Sequence, residues 1–235
     1  MKASVQGSST LKGFCKLFAI TLCFVSATAS AQSAMTPEQE AAYTKTINER
    51  SAKIVSNLGI TDSTKFKKVS GIIAGEYRSL NNIYIDRDAQ LKSIKEQNAA
   101  DKDAINAKTN TVKEEVDAKL TAQHTTFLND LSKELSPAQI DKVKDGLTYN
   151  VLHVTYTAYQ EMIPSLTDDQ KKQIMDWLTE AREKAMDAES SEKKHAWFGK
   201  YKGRINNYLS KSGVDMKQAE ADWQKRIKEK QDQKS

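Results

Sequence analysis

The chain has 235 residues, of which 38% are hydrophobic and 29% are charged, and its formal net charge is +5. Its first 31 residues hold three lysines and no acidic residue, so the remaining chain carries only +2. A chain of about 200 residues can bury one proper core, and a nearly neutral balance is unlike the basic balance of nucleic-acid-binding domains. We therefore expect one globular domain and no nucleic-acid partner.

The N-terminal segment has the features of a secretory signal peptide in the expected order. Three lysines accompany an apolar run over residues 17–29, and residues 29–31 (Ala-Ser-Ala) supply the small residues of a cleavage site. The run is shorter than the roughly 20 residues of a membrane-spanning helix. The chain's two cysteines, Cys15 and Cys23, lie here, and neither stands where a lipid would be attached. We predict cleavage near Ala31 and an exported protein, periplasmic or secreted, whose mature chain does not insert into a membrane.

The rest of the chain has the composition of an all-α protein. Only three prolines occur, and long charged stretches run without a helix breaker. Three expected helix starts share the pattern Ser/Thr-x-x-Gln, in which the hydroxyl accepts a backbone N–H and the glutamine bonds back to the cap. The caps are Thr36, Ser136 and Thr167. Residues 135–147 and 166–178 extend the likeness, either as independent caps or as an internal repeat.

Apolar residues at helical spacing predict the arrangement of the helices. A first helix should run from Pro37 to about Leu58, and two long helices should fill residues 63–135. The apolar pattern fades over residues 97–110, where we place a solvated turn. The predicted fold is therefore a long antiparallel helical hairpin packed on a C-terminal bundle of shorter, aromatic-rich helices over residues 136–230. A single helical domain would span residues 32–235.

One segment of the C-terminal part does not have a clear helical pattern. Residues 147–159 alternate in character and are rich in β-branched side chains, which is typical of a strand. No partner strand is evident elsewhere in the sequence. We therefore expect an extended or irregular segment that becomes helical towards Met162 and ends at Pro164.

Residues 190–213 concentrate aromatic and basic side chains. On a helix, Trp197, Tyr201 and Tyr208 share one stripe, and Phe198 falls beside it, which implies a second apolar surface. Gly199 lies one turn before a second glycine, and such glycines cost about 1 kcal/mol each relative to alanine. We expect something to pack against that backbone. The block is either a core helix with a solvated basic face or a carbohydrate site.

The carbohydrate interpretation follows from the side-chain chemistry. Aromatic rings offer flat apolar faces to sugar C–H groups, and a few polar groups fix a ligand's orientation. Arginine adds a planar fork for a carboxylate, such as that of a uronic acid. The candidate ligand-binding residues are Trp197, Lys200, Tyr201, Arg204, Asn207, Tyr149, Tyr156 and His195.

Catalytic patterns are missing from the sequence. The three histidines, His124, His153 and His195, do not have the spacing of metal ligands. Carboxylates are scattered over charged faces, so no acid/base pair for glycoside cleavage stands out. We therefore favour a non-catalytic protein with no metal site and no cofactor.

Four stretches of the chain resemble a known family of exported bacterial proteins of unknown function. They are TKTINERSAKIVSNLGI (44–60), GLTYN...TYTAY...MIP (146–164), AREKAMDAES (181–190) and SSEKKHAWFGKYKGRINNYLSKSG (190–213). The family is described as sugar-binding, and its members often accompany polysaccharide-degrading enzymes. The resemblance covers most of the mature chain and implies an exported accessory protein that binds a carbohydrate or glycan fragment. It defines no catalytic residue.

A second resemblance gives an alternative function. The Ser/Thr-x-x-Gln starts are similar to the L-T-x-x-Q motifs of small helical periplasmic chaperones of the envelope-stress class. This resemblance implies a concave helical surface for unfolded client proteins.

Overall fold

A computed structural model describes residues 35–232 of the chain. The predicted signal peptide and its cleavage site lie outside these residues. Within them the chain forms eight α-helices and no strand, so the predicted all-α class is confirmed. None of the described helices is both long and apolar enough to cross a membrane.

The helices are joined by short connections. They are α1 (Pro37–Ser56), α2 (Ser63–Gln97), α3 (Lys102–Ser132), α4 (Pro137–Leu147), α5 (Val151–Met162), α6 (Asp168–Met186), α7 (Ser191–Lys211) and α8 (Met216–Asp232). Helices α2 and α3 form the expected long antiparallel hairpin, and α1 packs along α2. Helices α5 to α8 form the C-terminal bundle, and α4 contacts α1, α3 and α6 between the two parts.

The turn of the hairpin is shorter than predicted. It comprises residues 98–101, not 97–110, because α3 begins at Lys102. The Asp101 carboxylate caps α3 by accepting the N–H of Ala104 at 2.9 Å. Residues 102–110 lack an apolar stripe because they extend into solvent, and their alanine and lysine content still favours a helix. The loss of the apolar pattern over residues 102–110 therefore indicates an exposed helix and not a turn.

All three predicted capping boxes form. The Thr36 hydroxyl accepts the N–H of Gln39 at 3.3 Å, and the Gln39 side chain accepts the N–H of Thr36 at 2.9 Å. The same reciprocal pair forms at Ser136 and at Thr167. Each box satisfies backbone donors that would otherwise lack partners at a helix start.

Two clusters of buried apolar side chains hold the fold together. The hairpin core lies between α1, α2, α3 and α4 and includes Val55, Val69, Ile73, Phe127, Leu131 and Val143. The C-terminal core lies between α5, α6 and α7 and includes Leu152, Ile174, Leu178, Phe198, Ile205 and Leu209. Met186, at the end of α6, belongs to the hairpin core. Helix α6 therefore joins the two clusters.

The prediction of an extended or irregular segment after Leu147 is wrong. Only residues 148–150 lie between α4 and α5, and residues 151–162 are helical. Leu152, Thr155 and Tyr159 recur at helical spacing and are buried. The preference of β-branched residues for strands reflects the packing of a pleated surface more than the backbone itself, so burial of a helical face overrides it.

Helix α7 buries a stripe that shares Tyr201 with the predicted one but has Phe198 in place of Trp197. Phe198 is 1% exposed and lies in the C-terminal core, whereas Trp197 and Tyr208 are only half-buried. The expectation of a second apolar surface at Phe198 was therefore wrong. The expected neighbour of the two glycines is also missing. A Cβ built on Gly199 or Gly203 has no atom of the described chain within 4 Å.

Candidate functional site

Helix α4 ends in a Schellman motif that has tyrosine in the position usually taken by glycine. The Asn150 N–H donates to the Asp145 carbonyl at 2.8 Å, and the Tyr149 N–H donates to the Gly146 carbonyl at 3.5 Å. In this motif the residue after the C-cap is left-handed. Tyr149 has φ +57°, and Asn150 has φ +56°. A left-handed backbone is unfavourable for a residue with a Cβ, although asparagine tolerates it better than most.

Two buried cations hold this strained turn in place. Lys194, 6% exposed, donates from Nζ to the carbonyls of Leu147 at 3.1 Å and Met186 at 3.0 Å. It thereby caps the ends of α4 and α6 together. Burial lowers the pKa of Lys194 to about 8. Arg182 donates to the carboxylates of Asp141 and Asp145 at 2.8 Å each, which fixes α4 against α6.

The Tyr149 side chain stands at the edge of a cleft of about 800 Å³, here called the Tyr149 cleft. Tyr149 is 49% exposed, and its ring stacks on the His195 ring with the centroids 5.4 Å apart. The cleft forms where α1 and α4 approach closely. At that point a Cβ on Gly146 would lie 2.9 Å from Ile54 Cγ1. The other lining residues are Arg50, Lys53, Asn57, Tyr77, Lys142, Asp145, Asn150 and His153.

The Tyr149 cleft carries unpaired positive charge. Its single carboxylate, Asp145, already accepts from Arg182 and lies 2.9 Å from His153 Nε2. No ion pair joins Arg50, Lys53 or Lys142 to a carboxylate in the part of the chain that the structure describes. These cations remain available to an anionic ligand.

All of this cleft lies within a region shared with a protein family. The family described as "Protein of unknown function (DUF3826)" matches residues 44–229. The chain belongs to this family. No curated protein matches the chain. The DUF3826 region takes in every residue of the Tyr149 cleft and both cations that hold the α4–α5 turn.

Trp197 lines a second cleft of the DUF3826 chain, here called the Trp197 cleft, with a volume of about 590 Å³. It lies between the hairpin and the junction of α6 and α7. Lys200 Nζ lies 5.1 Å from the centre of the Trp197 ring. Arg87 in this cleft forms an ion pair with Glu189 at its edge. Trp197 therefore has a cation on its ring in the free protein.

The residues predicted from sequence fall into separate places. Tyr149 and His195 lie together, and Trp197 and Lys200 form a second pair. Arg204 lies 4.5 Å above the Trp177 ring and 3.5 Å from Glu180.

Three further predicted residues, Tyr201, Tyr156 and Asn207, line neither cleft. Tyr201 is 7% exposed in the C-terminal core, and burial raises its pKa to about 12. Tyr156 packs against the same core, and Asn207 is exposed. The eight predicted residues do not line one cleft. Of the eight, only Tyr149 lines the Tyr149 cleft, and His195 stacks on its ring.

A polar network connects the hairpin to α6. His124 lies 3.0 Å from Asp187 Oδ2 and 3.5 Å from Glu183 Oε2, and these contacts raise the pKa of His124 to about 9. Burial raises the pKa of Glu183, but His124 and Lys144 outweigh it and bring that pKa to about 2. Burial also raises the pKa of Glu76 to about 7.

This network has a structural explanation. His124, Lys144, Glu183 and Asp187 pair with one another, as buried charges do in a fold, whereas Glu76 accepts from Gln123 and its Oε1 has no partner among the described residues. Among the described residues, no group of three His, Cys, Asp or Glu side chains is placed to hold a metal ion.

Sequence reasoning missed the cations of the Tyr149 cleft. Arg50 and Lys53 lie on the exposed side of α1, and Lys142 lies on α4. Nothing in their spacing distinguishes them from the many solvated lysines of the chain. The turn at Tyr149 did leave a signal, because α4 must end shortly after Gly146 and no glycine follows at the left-handed position.

Proposed function

We propose that the protein binds a carboxylate-bearing glycan, such as an oligosaccharide of uronic acids, in the Tyr149 cleft. One observation carries the proposal. A half-exposed tyrosine ring occupies a left-handed position at the edge of a cleft with three unpaired cations. Strained residues persist where the surrounding structure enforces them, and they cluster at functional sites.

The chemistry of the cleft matches such a ligand. The Tyr149 ring offers an apolar face to sugar C–H groups, and His195 supports the opposite face. Arg50, Lys53 and Lys142 offer charge-assisted hydrogen bonds to carboxylates. Asn57 and Asn150 add polar groups for hydroxyls. A neutral glycan would use the ring but would leave the three cations unpaired.

The proposal also includes the protein's role after export. The protein would act as a non-catalytic accessory component, periplasmic or secreted, beside enzymes that degrade the glycan. The chaperone alternative depends on the Ser/Thr-x-x-Gln pattern, and the three capping boxes already account for that pattern. We therefore favour glycan binding.

Calorimetric titration tests the proposal. The mature protein is titrated with polygalacturonate and alginate oligosaccharides, and with neutral galactan and xyloglucan oligosaccharides. We expect binding of an acidic glycan, weakened by added salt because exposed charges are screened. A lack of binding to every acidic glycan, or equal binding to neutral ones, contradicts the proposal.

A pair of variants locates the site. Arg50→Gln/Lys142→Gln should weaken binding by about tenfold or more, the loss expected from two charge-assisted contacts. Lys200→Gln/Arg204→Gln removes two cations from α7 and should leave the affinity unchanged. The reverse pattern would place the ligand on α7 and reject the Tyr149 cleft.

A further inference from the structure

The Tyr149 cleft does not end at the α4–α5 turn. An adjoining opening of about 450 Å³ shares Asn150 and His153 with it. That opening in turn shares Val154, Ala158 and Trp223 with a third of about 640 Å³ between α5, α7 and α8. The three openings thus follow one another along α5 through shared lining residues, and the two beyond the Tyr149 cleft are here called the α5 groove.

The middle of the α5 groove has apolar and aromatic side chains, Val154, Ala158 and Trp223, with Glu161 beside them. Val154 is 62% exposed, and Trp223 lies across from it on α8. On the same helix, Met216 and Ala219 contact the C-terminal core, while Trp223 lines the groove. Arg226 holds α8 in place by donating to the Glu161 carbonyl at 2.9 Å. Trp223 is therefore a positioned aromatic surface outside the core.

Polar side chains line the end of the groove that is farthest from Tyr149. Asn206 Oδ1 accepts from the Tyr159 hydroxyl at 2.6 Å, which leaves the Asn206 NH₂ group to donate to a ligand. Lys202 and Lys217 line the same end. Glu220 is the one carboxylate at this end, so the end resembles the Tyr149 cleft in having an aromatic ring, an amide, and more cations than carboxylates.

The geometry points to an extended oligosaccharide as the ligand, which lies along the Tyr149 cleft and the α5 groove with one part on Tyr149 and a later part on Trp223. This inference rests on the proposed function and names its ligand more closely. The α5 residues that line these openings extend from His153 to Met162, a length of about 14 Å at 1.5 Å per residue. A single sugar would fill only one end. An occupant that continues from the Tyr149 cleft is a longer chain of the same glycan.

Chain-length dependence tests the inference. Wild-type protein is titrated with an oligogalacturonate or alginate series from disaccharide to octasaccharide. We expect affinity to rise with length. Trp223→Ala should bind the shortest ligand like wild type and lose about tenfold or more on the longest. Trp223→Phe, which retains a ring, should recover most of that loss, and Ile227→Ala on the same helix should change neither.

A second variant tests the inference independently, in case Trp223→Ala does not fold. Val154 is highly exposed, so Val154→Glu should fold normally and repel an acidic chain in the groove. It should weaken binding of the octasaccharide but not of the disaccharide. Equal affinity across all lengths in the wild type, or wild-type binding of the octasaccharide by both variants, overturns the extended-ligand inference and leaves the proposed function standing. No binding at any length overturns both.

Discussion

Two helices of this protein end with the same hydrogen bonds but with opposite residue choices. At the end of α7, Val214 N–H donates to the Leu209 carbonyl and Gly213 N–H donates to the Ser210 carbonyl, both at 3.1 Å. Gly213 has φ +93°, which costs a glycine little. At the end of α4 the same pattern places Tyr149 in the left-handed position. Where only a turn is needed, the chain uses glycine.

The two ends also differ in what surrounds them. The end of α7 is exposed and closed by its own backbone. The end of α4 is also held from outside, by Lys194 on the Leu147 carbonyl and by Arg182 on the carboxylates of Asp141 and Asp145. A non-glycine residue held left-handed costs on the order of 1–3 kcal/mol. The buried cations offset that cost and keep the tyrosine ring at the cleft.

The largest expected effect comes from removing the arginine that fixes α4. Arg182→Met leaves Asp145 largely buried without its main partner, and loss of one partner of a buried pair costs about 3–5 kcal/mol. Arg204→Met serves as the control, because Arg204 is exposed and should cost less than about 1 kcal/mol. Urea unfolding measures both. Similar losses in the two variants would remove the distinction between the two helix ends.

The next effect concerns the lysine that caps α4 and α6 together. Lys194→Met leaves the Leu147 and Met186 carbonyls without this donor, and we expect a loss of about 2 kcal/mol. Its neighbour Lys193 is exposed, so Lys193→Met should change the free energy of unfolding very little. If Lys194→Met unfolded like the wild type, the α4 end would be closed by its own backbone as α7 is.

The smallest expected effect comes from substitutions at the two left-handed positions, 213 and 149. Gly213→Ala should lower the free energy of unfolding by about 1 kcal/mol, because alanine is strained there. At position 149 glycine should likewise be more stable than alanine. Tyr149→Gly should be more stable than Tyr149→Ala by about 1 kcal/mol, since both variants lose the ring and only alanine retains the strain. Equal stability of these two variants would show that the turn at 149 is not strained.

The helices were predictable because their signals are local. Capping boxes at Thr36, Ser136 and Thr167 predicted the starts of α1, α4 and α6, and apolar spacing predicted the start of α2. The α5 helix was missed because β-branched residues obscured its period, and burial of Leu152 and Tyr159 decided the outcome. On α7 the choice between Trp197 and Phe198 for the core depends on neighbouring helices, which a single sequence does not show.

The site was less predictable than the fold because its residues come together only through the packing of helices that are distant in sequence. Tyr149 and His195 were both named as candidates, but their pairing depends on the close contact of α4, α6 and α7. The cations Arg50, Lys53 and Lys142 come from two helices far apart in sequence. Their common feature is a lack of carboxylate partners in the described structure, which only the packed chain reveals.

The Tyr149→Gly variant tests the central claim most directly, because it separates the ring from the turn. Its free energy of unfolding and its affinity for the acidic oligosaccharide bound by the wild type are measured together. We predict stability close to that of the wild type, since relief of backbone strain offsets the lost ring contact, with affinity reduced at least about tenfold. Wild-type affinity in the folded Tyr149→Gly protein would contradict the claim that the strained tyrosine is kept for ligand binding.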